Sequence, residues 1–310
     1  MKNDFPYTIR TYRLDDFDSY LRLNVEARKF DSPGYCVLPQ TLSERMGMPG
    51  YFPEQDMFVA EQSGELLGYI DITQELSIGR VVLDCLIHPE HRRNGLAREL
   101  TLRAIQHTTE LGAQVAHVQI AASNVAATSL LSKLGFRFIR CFLEQTLLLP
   151  ELNLPNFEQF VPLCRQLQFG EEGKLTELQN RSFAGSWGFN PNTIEEIVYR
   201  INQYGCSPGD VILVDEADEP IGYCWTTIAH QEYTLSTGKG RIYMLGVDPE
   251  CRGRRMGKLL LSAGLSYLKD KGIDVVDLTV DSQNTSACAL YESAGFRVSS
   301  MTLWYEKELD

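Results

Sequence analysis

Apolar positions follow two rhythms along this chain, and the order of those rhythms is written twice. Alternation over residues 7–12 predicts a strand, and Phe17, Tyr20, Leu21 and Val25 fall at helical spacing within 15–27. Met57-Phe58-Val59-Ala60 and Leu66-Leu67-Gly68-Tyr69-Ile70 flank Gln62-Ser63-Gly64-Glu65, which reads as a hairpin. A strand over 81–87, a helix over 97–111, a strand over 113–121, a short helix over 125–134 and a strand over 138–149 complete the first half. The pattern stops at Pro150 and Pro155, the predicted boundary. Helices over 174–183 and 193–202 follow, then a hairpin from 211–214 and 220–224. Strand 242–247, helix 257–271, strand 274–280, helix 286–293 and strand 301–306 restate the end of the first half.

The restatement has a fixed register. Pro89 recurs as Pro249, Arg92 as Arg252, Gly112 as Gly272, Asn124 as Asn284, Leu130 as Leu290 and Gly135-Phe136-Arg137 as Gly295-Phe296-Arg297, each 160 positions on. That many coincidences without a gap mean duplication, and the period is far above that of solenoids, so the unit is a whole domain. The expected fold is α/β with a mixed sheet: two tandem domains, each a mostly antiparallel central sheet flanked by helices. Residues 1–150 form the first, 151–170 a linker and 171–310 the second.

Composition narrows the function. Against 29 Lys and Arg stand 41 Asp and Glu, a formal charge of -12, which excludes general affinity for nucleic acid or anionic membrane. The eight cysteines show no C-x-x-C pair and no zinc spacing, so no metal is expected. Residues 1–6 lack the features of a secretory leader and no run approaches 18 apolar residues, which fits a cytoplasmic enzyme, monomer or homodimer.

Local chemistry concentrates where a strand breaks into Arg/Gly turns. Leu245-Gly246-Val247-Asp248-Pro249 leads to Arg252-Gly253-Arg254-Arg255-Met256-Gly257-Lys258, and Leu86-Ile87-His88-Pro89 leads to Arg92-Arg93-Asn94-Gly95-Leu96-Ala97-Arg98. Each turn opens a helix, whose unpaired N–H groups and partial positive charge suit it to hold phosphate. Further on, the second half carries Asn284, Ala287, Leu290, Tyr291, Gly295 and Phe296; the first half has the same spacing but Leu131 where the tyrosine stands.

A phosphate turn of the form Arg/Gln-x-x-Gly-x-Gly/Ala, followed by Asn-x-x-Ala-x-x-Leu-Tyr-x-x-x-Gly-Phe, resembles the GNAT superfamily of acetyl-CoA-dependent N-acetyltransferases. The first turn matches every fixed position; the second has Arg255 in place of the middle glycine. The resemblance implies acetyl-CoA as co-substrate and a small-molecule or peptide amine as acceptor. It gives the two turns, Leu86 and Ile87, Leu245 to Val247 and Asn284 as cofactor-binding residues. Tyr291 becomes the general acid for the leaving thiolate, the plainer alternative being a packed helix tyrosine. Leu131 cannot donate a proton, so the C-terminal half is expected to be the active one.

The tandem arrangement, the segment from Gly240 to Pro249 and Asn180-Arg181-Ser182-Phe183-Ala184-Gly185 are similar to the mycothiol synthase family. That family has a glutamate base where this chain has Arg241, which cannot serve as one. Asp277, Asp281, His230 and Glu232 are the other candidates there, each more readily a solvated or capping residue, and Asp84 and His117 are the only suggestive side chains in the first half. A sensor or scaffold that binds acetyl-CoA without turnover is the competing expectation.

Overall fold

The computed structural model describes residues 7–31, 37–203, 205–229 and 238–309. The chain divides into two compact units, Met1–Cys141 with Thr302–Asp310, and Phe142–Met301.

Unit 1 contains β1 (Thr8–Thr11), α1 (Phe17–Asp31), α2 (Pro39–Met46), α3 (Pro53–Asp56), β2 (Met57–Gln62), β3 (Glu65–Glu75), β4 (Arg80–Ile87), α4 (Leu96–Glu110), β5 (Val115–Ala121) and α5 (Val125–Lys133). Its sheet runs β1-β2-β3-β4-β5 and is closed by the end of β12 (Arg297–Glu308), where Thr302 to Glu308 pair antiparallel with β5. Every neighbouring pair is antiparallel except β4–β5. Both faces of the sheet are covered, which is why its strands read as apolar runs. Met57 and Val59 pack with Tyr20, Leu23 and Tyr69 on one side, while Phe58 and Ala60 pack with Leu96, Leu100 and Ala104 of α4 on the other.

Unit 2 repeats this plan. Its elements are the end of β6 (Arg137–Leu148), β7 (Arg165–Gln166), α6 (Glu172–Phe183), α7 (Ile194–Ile201), β8 (Val211–Glu216), β9 (Glu219–Ala229), β10 (Lys239–Val247), α8 (Met256–Asp270), β11 (Val275–Asp281) and α9 (Thr285–Ser293). The order is β7-β8-β9-β10-β11-β6, with β10–β11 the parallel pair. Val211 and Leu213 pack with Leu175, Leu178 and Ile197 of α6 and α7; Ile212 and Val214 pack with Leu260, Leu261 and Leu265 of α8.

Two features differ from the sequence expectation. Phe142 to Leu148 pair with β11 in unit 2, so each half's last strand completes the sheet of the other unit. The stretch expected as a linker, 151–170, is built into unit 2: it supplies β7, buries Cys164 and Leu167, and packs Leu154, Phe157 and Phe160 against the α8 core. Lys269 Nζ donates to Leu154 O at 3.1 Å and Phe157 N to Asp270 Oδ2 at 2.8 Å, so its backbone groups are satisfied there.

Candidate active site

The parallel strands of unit 2 part company early. β10 pairs with β11 only from Lys239–Val275 to Arg241–Asp277, yet β10 runs on to Val247 and β11 to Asp281. Asp248 N donates to Ile221 O at 2.8 Å, toward β9. Because successive amides of a strand alternate sides, Gly246 and Met244 also point to β9, and Leu245 and Val247 present their N–H groups to the opening. Of the three residues expected to bind the cofactor, Leu245 and Val247 face the opening and Gly246 faces β9. Gly246 is instead a site of close approach: a Cβ there would lie 2.4 Å from Tyr223 Cε1 and 3.0 Å from Ser182 Cβ.

Unit 1 opens in the same way after Leu83–Val118. His88 N donates to Leu67 O at 2.9 Å, so Ile87 and Cys85 face the opening while Leu86 faces β3. One difference separates the units. β10 bulges between Ile242 and Met244, inserting Tyr243, whereas the β3–β4 register is unbroken. Tyr243 packs edge-on to Trp225 at 5.2 Å and its hydroxyl accepts from Arg200 Nη1 at 2.7 Å.

The two turns share one backbone. In unit 1, Arg93 (φ 68°) and Gly95 (φ 85°) are left-handed; in unit 2, Gly253 (φ 78°) and Arg255 (φ 64°) are. Glycine and arginine have exchanged places between the two left-handed positions, so the arginine at 255 does not alter the path. Gly95 and Arg255 are the N-caps of α4 and α8, and neither helix start is capped by a side chain. The amides of Leu96 and Ala97, and of Met256 and Gly257, therefore head two uncapped helices. Arg93, Asn94, Gly95, Gly253, Arg255 and Lys258 are exposed around them; Arg98 pairs with Glu99 at 2.8 Å and Arg254 with Glu216 at 3.1 Å.

Other residues expected to bind the cofactor make hydrogen bonds within the chain. Arg252 Nε donates to Val247 O at 3.3 Å and Nη2 to Ser182 O at 2.6 Å, tying α6 to the end of β10. Arg92 does the same in unit 1, with Ile87 O at 3.0 Å and a two-pronged pair to Asp31 at 2.7 and 2.8 Å. Asn284 Oδ1 accepts from Ala287 N at 3.1 Å, as Asn124 does from Ala127 N at 3.1 Å, so both asparagines cap helices.

Tyr291, on α9, is 7% exposed and packs edge-on to Phe296 at 5.9 Å. Its carbonyl accepts from Ala294 N and Phe296 N at 3.1 Å, and its hydroxyl has no hydrogen bond among the described residues. Burial, with Cys224 and Cys288 nearby, pushes its phenol far above the ordinary range, so it stays protonated at neutral pH. Tyr291 shares a buried cluster with Cys224, the register partner of Leu245, and Leu245 packs against the same cluster. Leu131 fills the matching place in unit 1, buried in the core.

Among the expected bases, Asp277 pairs with Lys239 at 2.6 Å and accepts from Thr146 Oγ1 at 2.7 Å. Asp281 accepts from Gln283 N at 2.9 Å. His230 and Glu232 lie outside the described residues. Asp84 is 3.6 Å from Arg45, and His117 bonds Glu306 at 2.9 Å. Arg241 donates to Thr279 Oγ1, which donates to Glu144 Oε1 at 2.7 Å. Glu144 was not anticipated: it belongs to the first half in sequence and to unit 2 in space. Among the described residues no group of three metal-type ligands forms, and no helix is long and apolar enough to cross a membrane.

Known proteins bear on this geometry. The chain is 30% identical over 296 residues to a mycothiol acetyltransferase of Tsukamurella paurometabola, covering 91% of this chain and 92% of that one. A GCN5-related N-acetyltransferase from Sphaerobacter thermophilus shares the fold at a TM-score of 0.72 and 22% identity, over 98% of this chain and 96% of that one. A tandem GNAT protein from the clavulanic acid biosynthesis pathway does so at 0.70 and 16%, over 98% and 99%. The model of the acetyltransferase (GNAT) family matches residues 26–136 and again 174–296. Matched in both halves, the chain belongs to the acetyltransferase (GNAT) family, whose members use acetyl-CoA.

Proposed function

We propose that the chain transfers the acetyl group of acetyl-CoA to the amine of a small molecule or peptide by direct attack, and that unit 2 is where it does so. The observation that carries this is the contrast at the sheet opening: a bulged β10 with the buried Tyr291 beside it in unit 2, a regular β4 with Leu131 in unit 1. The uncapped start of α8 and the Arg/Gly turn receive the pyrophosphate of CoA. The open amides of Leu245 and Val247 receive the pantetheine arm and the thioester oxygen. When the amine attacks, charge develops on that oxygen and fixed N–H donors stabilise it without reorganising. The C–S bond then breaks and Tyr291 protonates the leaving thiolate.

Unit 1 keeps the turn and the open amide of Ile87 but lacks an acid, so we assign it acetyl-CoA binding without transfer. The names of the curated relatives favour a small-molecule acceptor. Arg241, standing where a base is expected, supports a second reading in which neither unit turns acetyl-CoA over. Acetyl-CoA-dependent thiol release with a panel of polyamines, amino sugars, aminoglycosides and peptides separates the two, since turnover with any amine removes the sensor reading. Tyr291→Phe is expected to keep acetyl-CoA affinity and lower turnover by about 10²–10⁴. Unchanged turnover takes Tyr291 out of the mechanism.

A further inference from the structure

Unit 2 brings a carboxylate to the sheet opening from a strand that belongs to the other half of the sequence. Glu144 lies on β6, directly opposite Thr279 of β11. Thr279 is two residues past Asp277, the last β11 residue paired with β10, and so sits in the parted section. One strand spacing, about 4.8 Å, separates β6 from β11. Burial along β11 alternates, with Val276, Leu278 and Val280 buried and Val275, Asp277, Thr279 and Asp281 less so. Thr279 and its partner Glu144 thus stand on the face away from the α8 core.

The two oxygens of Glu144 are used differently. Oε1 accepts the Thr279 hydroxyl at 2.7 Å, which fixes the carboxylate's orientation. Oε2 forms an ion pair with Arg241 Nη2 at 3.6 Å, too long for a hydrogen bond, while the same Nη2 donates to Thr279 Oγ1. Among the described residues Oε2 has no hydrogen bond, and the side chain is 28% exposed. Two other charged groups on this face are engaged: Lys239 pairs with Asp277 at 2.6 Å, and Asp281 accepts from the Gln283 amide. Ser299 Oγ donates to the Glu144 backbone carbonyl at 3.2 Å and leaves the carboxylate alone.

We infer that Glu144 is the acceptor-side catalytic residue of unit 2: it binds the ammonium of the incoming amine through Oε2 and takes its proton. This rests on unit 2 being the transferring site. The ammonium N–H bond breaks toward Oε2, giving a neutral amine and a protonated carboxyl. The nitrogen lone pair forms the C–N bond to the thioester carbonyl carbon, the C–S bond breaks, and the thiolate takes the Tyr291 proton. The second nitrogen proton and the Glu144 proton pass to solvent, one of them replacing that lost by Tyr291. Arg241, which cannot be a base, has a place in this scheme: it holds Thr279, which holds Glu144.

The test compares a cationic and a neutral acceptor with the full chain. Glucosamine and spermidine represent ammonium acceptors, and methoxyamine one that is uncharged at neutral pH. Glu144→Gln keeps an oxygen for Thr279, and acetyl-CoA affinity serves as the control for folding. The expected result is a fall in kcat/KM of about 10²–10³ for the ammonium acceptors with methoxyamine nearly unaffected and acetyl-CoA affinity retained. An equal loss for both kinds of acceptor, or no loss, overturns the role of Glu144 while Tyr291→Phe still reports on the site. A wild-type chain that acetylates none of them removes the transferring site, and Glu144's role with it.

Discussion

Arg255 occupies a position where the duplicated turn elsewhere uses glycine, and replacing it should move stability and ligand affinity in opposite directions. Its φ of 64° is the left-handed region, where a residue with a Cβ costs about 1–2 kcal/mol. Arg255→Gly relieves that strain and returns about 0.5–1 kcal/mol through the greater freedom of glycine in the unfolded chain. The balance is a gain of roughly 0.5–1 kcal/mol, helped by removing a cation from the positive end of α8. For a unit of this size that corresponds to a rise in Tm of about 1–4 °C, read by calorimetry on the full chain. The same cation is exposed, has no ion pair among the described residues, and stands where phosphate would dock. Losing an exposed pair of this kind costs about 0.5–1 kcal/mol, so acetyl-CoA should bind about two- to fivefold more weakly at low salt, the difference fading as salt is raised. A lower Tm refutes the strain argument. Unchanged affinity at low salt refutes the placement of phosphate at this turn.

Asn284→Ala should cost about 1 kcal/mol through loss of the helix cap and leave acetyl-CoA affinity unchanged, as measured by denaturant unfolding and calorimetric titration; weaker binding with unaltered stability would make Asn284 a ligand after all. Gly246→Ala forces a Cβ against Tyr223 and Ser182 and should destabilise by about 1–3 kcal/mol, detectable as a lower urea midpoint. His117 is buried and its imidazole is depressed below the ordinary 6.5, so the unfolded chain takes up the proton first. Its stabilising effect is complete above pH 6.5 and is lost as pH falls from there through the lower folded value. Wild type should therefore lose more stability than His117→Gln between about pH 7.5 and 5.5 in urea unfolding, and parallel losses would refute it.

What the sequence makes legible follows from what each signal can specify. Hydrophobic period distinguishes strand from helix, and both faces of each sheet being covered explains the apolar runs at 57–60 and 211–214. Glycine and arginine mark the turns in the sequence, but that each turn uses two left-handed residues, an arginine among them, is visible only in the structure. Motif matching is weaker for side chains, because a residue can be retained for the scaffold as well as for the ligand. Arg92 and Arg252 hold a helix to the strand end, and Asn284 holds a helix start. These roles shape the Arg/Gly turn indirectly.

The exchange of last strands lies beyond any periodic signal, and its consequence for chemistry is specific. Duplication gives each sheet the same open edge beside its parallel pair, β5 in one unit and β11 in the other, and an alternating strand fits either. Residues 138–149 and 301–306 therefore predict strands correctly and partners wrongly. Reading the halves as self-contained confines the search for a base to the second half and finds Arg241, Asp277 and Asp281, each already engaged. Once β6 is placed against β11, Glu144 joins them with one oxygen hydrogen-bonded to Thr279 and the other free of hydrogen bonds among the described residues, in an ion pair with Arg241 at 3.6 Å. The exchange also binds the fate of the two copies together. The first half carries Leu131 where the second carries Tyr291, yet its residues 142–148 complete the sheet of unit 2.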